Sequence, residues 1–230
     1  MDPQPDTTIY IASTWVVPVI VAITFHEAAH GFIAHQFGDD TAWRLGRVSF
    51  NPLKHIDPFG TILLPAILLL TRAPFLFGYA KPVPVNFGAL RNPRHDMVWV
   101  AAAGPATNIL LAIAAGLLVH LIDFLPDGVD RWFFKNLENA IIINVVLAVF
   151  NMIPLPPLDG GRVAVGLLPD VLAAPLARLE RFGMLIIIFL LFILPMVGSQ
   201  LGMDLNVLTW LISGPADSII GIIVRITGNG

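Results

Sequence analysis

The chain has no cysteine and few charges. Without cysteine there is no disulfide framework, no thiolate metal site and no cysteine nucleophile. Asp, Glu, Lys and Arg together make up 13% of the residues, against roughly 25% in an ordinary soluble domain, while 56% are hydrophobic. Too few polar residues remain to cover the outside of a soluble protein of this size. A soluble globular enzyme, a nucleic-acid binder and a disordered chain are thereby excluded. The net charge is −3 and there is no basic patch, so nothing invites a polyanion, and no nucleic-acid partner is expected. No internal repeat and no Ser/Gly linker is visible. The first six residues carry no Lys or Arg, so they lack the basic start of a signal peptide. The run that follows is expected to remain in the chain.

What is present is a series of nearly charge-free runs: 7–25, 98–122 (broken only by His120), 139–158 and 183–203. Each approaches or exceeds the length of about 20 residues that a helix needs to cross the hydrocarbon core. A fifth run, 205–223, has Asp217 near its end, and a doubtful one, 61–77, is interrupted by Pro65, Arg72 and Pro74. The expected fold class is an all-α polytopic membrane protein of about five to six transmembrane helices, with a re-entrant or half-membrane segment near 60–86. The polar stretches 38–60, 78–97 and 123–138 are too short to be independent domains. One domain over 1–230 is expected, with its core at about 9–168 and accessory helices at about 180–227.

His26-Glu27-Ala28-Ala29-His30 reads H-E-x-x-H. On a helix, residues four apart share a face, and two imidazoles so placed reach one tetrahedral Zn²⁺. Glu27 beside them is free to take a proton from water. Three fixed positions also occur by chance in unrelated helices. Here, however, 16–25 is wholly uncharged and leads straight into the motif, and ionisable groups within an apolar span are costly and by default functional. A catalytic zinc takes a third protein ligand. His35, His55 and His95 lie in or near polar loops and His120 near the far end of its run. The best candidate is Asp159, which follows the cluster Pro154, Pro156 and Pro157 and precedes Gly160-Gly161. Prolines break a helix, and a break at membrane depth is tolerated where it lines a cavity or is buried in protein. The competing reading of Asp159 is a helix end at the interface.

The sequence resembles the site-2 protease family of intramembrane zinc metalloproteases. That family combines H-E-x-x-H with a later N-x-x-P-x-P-x-x-D-G, and both stand complete here, at His26–His30 and from Asn151 to Gly160. The resemblance implies one Zn²⁺ held by His26, His30 and Asp159, with Asn151 holding or polarising the scissile peptide. Gly104-Pro105-Ala106-Thr107-Asn108 resembles the family's G-P-x-x-N element. The likeness continues through 46–58 and 81–86, typical of the short branch, and covers roughly 9–200. No loop is long enough for an inserted PDZ or CBS domain, so regulation by one in cis is not expected.

The implied activity is hydrolysis of peptide bonds in or near transmembrane segments, with Glu27 as general base and Asn151 as a donor to the developing oxyanion. The expected substrate is a transmembrane helix or signal-peptide remnant that unwinds locally in the bilayer. Asn108 has two readings: substrate binding or lining of a water path, and an interhelical hydrogen bond. Asn144 reads as the latter. His55 and Asp57 either shape the mouth of the site or sit in a solvated loop. The 81–86 stretch either pairs with substrate by strand addition or is a rigid cover. A metal-ion transporter or metal-binding membrane protein is the alternative class, and a catalytically dead scaffold a third. Glu27 and Asn151 speak against the transporter, and the intact ligand set against the scaffold.

Charge bias supplies an orientation. Arg44, Arg47, Lys54, Lys81, Arg91 and Arg94 all fall between the first and second long runs. The positive-inside rule puts that stretch in the cytoplasm, the N-terminus outside and the site nearer the cytoplasmic face of the cell membrane. The doubtful run then makes no net crossing. The alternative there is a two-pass hairpin with Arg72 near its tip.

Overall fold

The computed structural model describes residues 7–71 and 78–230. Among these the regular elements are all helical. α1 (Thr7–Gln36) is followed by a short α2 (Thr41–Arg44), a 3₁₀ turn (Pro52–His55) and a π-type turn (Pro58–Leu63) that runs into α3 (Leu64–Leu70). The chain is extended over 78–86, makes a 3₁₀ turn (Phe87–Ala89) and enters α4 (Pro93–Leu118). Then come a 3₁₀ turn (Val119–Phe124), α5 (Val129–Asn151), α6 (Asp159–Leu167), α7 (Asp170–Arg178), α8 (Glu180–Ile188), α9 (Leu194–Gln200) and α10 (Val207–Ile226). A π-type turn (Phe189–Ile193) makes α8 and α9 one continuous span.

Among the described residues, five helices are long and apolar enough to cross a membrane: Ile9–Gln36, Pro93–Phe124, Val129–Asn151, Glu180–Gln200 and Val207–Ile226. The chain is a multi-pass membrane protein. The large apolar side chains on its outer faces, such as Val16, Leu110, Leu185 and Trp210, are exposed in the isolated chain, as lipid-facing residues are. Of the segment expected to be re-entrant, 72–77 lies outside the described residues.

α1, α4 and α5 pack against one another, α6 lies on α4, and α10 lies on α5. The core between α4, α5 and α10 includes Ala112, Ala115, Leu137, Val145, Ala216 and Ile223. Alanine is frequent there because lipid provides no hydrophobic drive between helices, so backbones must approach closely to gain dispersion contacts. Polar side chains add hydrogen bonds within this packing. Asn139 donates to the Thr14 carbonyl and Oγ1 at 3.0 and 3.1 Å, and Trp132 Nε1 donates to Ser13 Oγ at 3.0 Å.

One boundary differs from the sequence reading. α5 begins at Val129, so much of the polar stretch 123–138 is helix. Its charges lie beside apolar residues at helical spacing, with buried Leu137 on one face and a Lys135–Glu138 ion pair of 2.6 Å on another. A search for uncharged runs misses an amphipathic first turn of this kind.

Candidate metal centre

Near the middle of the bundle, one turn of α1 presents His26 and His30 with their rings edge to face, 4.7 Å between centroids. Each ring is held from behind. His30 Nδ1 lies 2.7 Å from the Val100 carbonyl, which only accepts, so the proton sits on Nδ1. His26 Nδ1 lies 2.6 Å from Asn108 Oδ1. The Asn108 amide nitrogen already donates to Asn144 Oδ1 at 2.8 Å and to the Ala22 carbonyl at 3.2 Å. Its oxygen therefore accepts from His26. Both rings thus turn Nε2 inward, and these two atoms lie 3.0 Å apart.

Asp159 Oδ2 completes the group, 3.2 Å from His26 Nε2 and 3.4 Å from His30 Nε2. This buried oxygen accepts no hydrogen bond. Two imidazole nitrogens and an unsatisfied carboxylate oxygen converging in a buried space call for positive charge, a proton or a metal ion, between them. A tetrahedral ion with bonds of about 2.0–2.2 Å sets its ligand atoms about 3.3–3.6 Å apart, close to the spacings found here. The donor set thus fits a zinc-type ion. Among the described residues, His26, His30 and Asp159 form the one group of three such side chains able to hold a metal. The other histidines are engaged elsewhere. His35 bonds Asp40 at 2.7 Å and stacks on Trp43, and His120 bonds the Thr227 carbonyl at 2.6 Å. His55 is buried against the Ser49 carbonyl at 2.8 Å, while His95 lies at the exposed start of α4. Asp57 caps the Pro58–Leu63 turn, accepting from the Phe59 and Gly60 amides.

The backbone around the cluster allows no bulk. A Cβ on Gly104 of α4 would lie 2.5 Å from both His26 Cε1 and His30 Nε2. Asp159 is the first residue of α6, behind the proline corner. Gly160 and Gly161 let that corner fold against the helix start, since a Cβ on either would strike the backbone of Met152 or of Leu155 and Pro156.

A cavity of about 350 Å³ opens onto the cluster, lined by His26, Glu27, His30, Asn151, Asp159 and Arg162 and by parts of 79–87. Glu27 Oε2 accepts the Val83 N–H at 2.7 Å. Pro82 and Pro84 have no N–H, so the Pro82-Val83-Pro84 tripeptide carries a single donor, and it goes to Glu27. The segment is tied at both ends. Lys81 N–H donates to the His55 carbonyl at 2.9 Å, and Asn86 N–H to Asp39 Oδ2 at 2.6 Å. Asn151 lines the cavity while its amide nitrogen donates to the Leu147 carbonyl at 3.0 Å.

Sequence reasoning did not single out Asp39, Val83 or Arg162. Asp39 is fully buried and also accepts from the Thr41 N–H and hydroxyl. Asp-Asp-Thr just past a helix end is a turn signature that points to it. The D-G-G-R spacing puts Arg162 one turn from Asp159 on α6.

A bundle of apolar spans that buries two histidines and a carboxylate around a space for a metal, with a second carboxylate facing the same cavity, defines a membrane metalloprotease. Residues 127–194 match the peptidase family M50. A relative named "Putative zinc metalloprotease YwhC", from Bacillus subtilis (strain 168), is 38% identical over 199 residues, covering 83% of this chain and 85% of that one. "Putative zinc metalloprotease Rip2" of Mycolicibacterium smegmatis is 30% identical over 75% of this chain and 64% of its own length. "Putative zinc metalloprotease MJ0611" of Methanocaldococcus jannaschii is 28% identical over 69% and 73%. No solved structure gives a significant match. The chain belongs to peptidase family M50, the site-2 protease-like zinc metalloproteases.

Proposed function

We propose that the chain is an intramembrane zinc metalloendopeptidase that holds one Zn²⁺ through His26, His30 and Asp159 and cuts transmembrane or signal-peptide-derived segments. The observation that carries this reading is the convergence of two inward-facing Nε2 atoms and an orphaned carboxylate oxygen in the cavity that Glu27 also lines. When bound, the metal supplies Lewis acidity at that point.

The chain's own residues divide the remaining work. Glu27 takes the proton of the attacking water and delivers it to the leaving amine. The Val83 amide fixes one carboxylate oxygen of Glu27 and leaves the other for this transfer. Asn151 turns its amide from the Leu147 carbonyl to the substrate carbonyl as negative charge grows there. Of the two readings of Asn108, substrate binding or a water path and an interhelical hydrogen bond, its bonds to His26, Ala22 and Asn144 favour the second. We therefore assign it to holding the His26 ring, a role such partners commonly play for metal-bound histidine. The N-terminus lies outside and the site nearer the cytoplasmic face, as the basic residues of 44–94 support. The unit is a single domain over 1–230 without an inserted PDZ or CBS domain.

The test is co-expression with a panel of single-span membrane proteins, comparing wild type with Glu27→Gln. Zinc near one per chain in both, with new fragments only from wild type, is expected. Fragments from Glu27→Gln at the wild-type rate would overturn the assignment. Zinc flux across vesicles without cleavage would favour the transporter.

A further inference from the structure

Arg162 is the one Lys or Arg among the described residues that line the cavity. It stands three residues after Asp159 on α6, so the two share a helix face. Its guanidinium is held in two ways. Nη2 donates to Glu180 Oε1 at 3.2 Å, and the guanidinium carbon sits 5.3 Å from the centroid of the Phe87 ring. With the fork held, Nε is left buried and has no acceptor. Asp159 does not fill that role, since its buried Oδ2 takes no hydrogen bond. A buried charged donor left unmade is costly, and such groups in a native structure call for an explanation.

The explanation lies in what the substrate brings. A peptide that unwinds to enter this cavity carries carbonyl oxygens that have lost their helical N–H partners. Away from water each needs a donor from the protein. Glu180 already balances the charge of Arg162, so the free N–H suits a neutral acceptor better than a second carboxylate. Resting on the proteolytic reading above, we infer that Arg162 is a substrate-binding residue: a peptide segment that displaces what covers the guanidinium edge brings a main-chain carbonyl oxygen to its unpartnered Nε–H. Glu180 and Phe87 fix its aim.

Two hydroxamates test this on purified, zinc-loaded protein. Acetohydroxamate carries only the metal-binding group, whereas a tripeptidyl hydroxamate adds peptide carbonyls. Affinities are measured by calorimetry for wild type, Arg162→Ala and Arg162→Lys, with zinc content and melting temperature recorded on the same preparations. Both substitutions are expected to weaken the tripeptidyl probe about 10-fold or more, the range of a hydrogen bond to a charged group. Acetohydroxamate affinity and zinc content are expected to stay at wild-type values. Equal tripeptidyl affinity in wild type and Arg162→Ala would overturn the inference, as would wild-type affinity in Arg162→Lys. Equal weakening of both probes, or loss of zinc, would make Arg162 a support of the metal site and overturn it too. Wild-type protein that holds no zinc and binds neither probe would instead refute the proteolytic reading itself.

Discussion

The two halves of the candidate metal centre are built on opposite principles. His26, Glu27 and His30 come from the interior of a long helix, whose pitch alone sets the spacing of the imidazoles. Asn151 and Asp159 come from either side of the corner 152–158, where α5 stops. The corner survives there because it leaves no amide unpaired. Met152, Ile153, Leu155 and Leu158 each donate to a backbone carbonyl within the corner or the last turns of α5, and the remaining positions are prolines with nothing to donate. Prolines therefore do two things at once: they end α5 and remove the donors that a broken helix would otherwise strand in the bilayer. A regular element delivers ligands by its period. An irregular one delivers them by disposing of its own polar groups first.

The strongest way to break this comparison is Asp159→Ala. If the corner contributes to the centre as fully as the helix, zinc is lost and cleavage with it. The drop in metal affinity should exceed the roughly 10–100-fold typical of an outer-shell change, as read by metal analysis after dialysis. Full occupancy in the variant would reduce the corner to scaffolding.

Asn151→Ala separates the corner's chemistry from its shape. Turnover is expected to fall about 10²–10³-fold with zinc retained, because the donor acts mainly in the transition state. Normal turnover with a lowered melting temperature would leave only the local bond to Leu147.

Asn108→Ala sharpens the helical half. Losing the acceptor at His26 Nδ1 is expected to weaken zinc about 10–100-fold, measured by competition with a chelator, while KM for a cleaved substrate stays unchanged. A raised KM with normal zinc affinity would return Asn108 to substrate binding.

The smallest effect is expected at Asn139, whose bonds to Thr14 join α5 to α1 away from the cavity. Asn139→Leu should cost about 0.6 kcal/mol, the average for such bonds between membrane helices. Zinc content and turnover should not change. A change in either would mean that the outer bundle bears on the site.

The helical half was the more legible in the sequence. H-E-x-x-H states its geometry in its spacing, and apolar runs of spanning length mark the helices that carry it. Asp159 was legible for another reason, as an acid placed just beyond a cluster of three prolines. What stayed hidden depends on pairing across the chain. Nothing local says that the Val83 amide meets Glu27, or that Asn108 turns its oxygen to His26 because Asn144 and Ala22 hold its nitrogen. The start of α5 was missed because its first turns are amphipathic rather than uncharged. Arg162 looked like any arginine at a helix end until the cavity beside it was in view.

Gly183 of α8 lies where the fourth span touches the corner: a Cβ there would run into the Pro156 carbonyl and the Pro157 ring. Substitution tables rate glycine to alanine in a lipid-embedded helix as mild, and by helix propensity it is an improvement. At this point the added methyl has nowhere to go except into the chain that presents Asp159, and overpacking of this kind costs about 1–3 kcal/mol. The tolerance of this helix to sequence drift is thus set by the motif it leans on. A conservative replacement on an apparently anonymous stretch of membrane anchor is therefore expected to disturb the corner that presents Asp159.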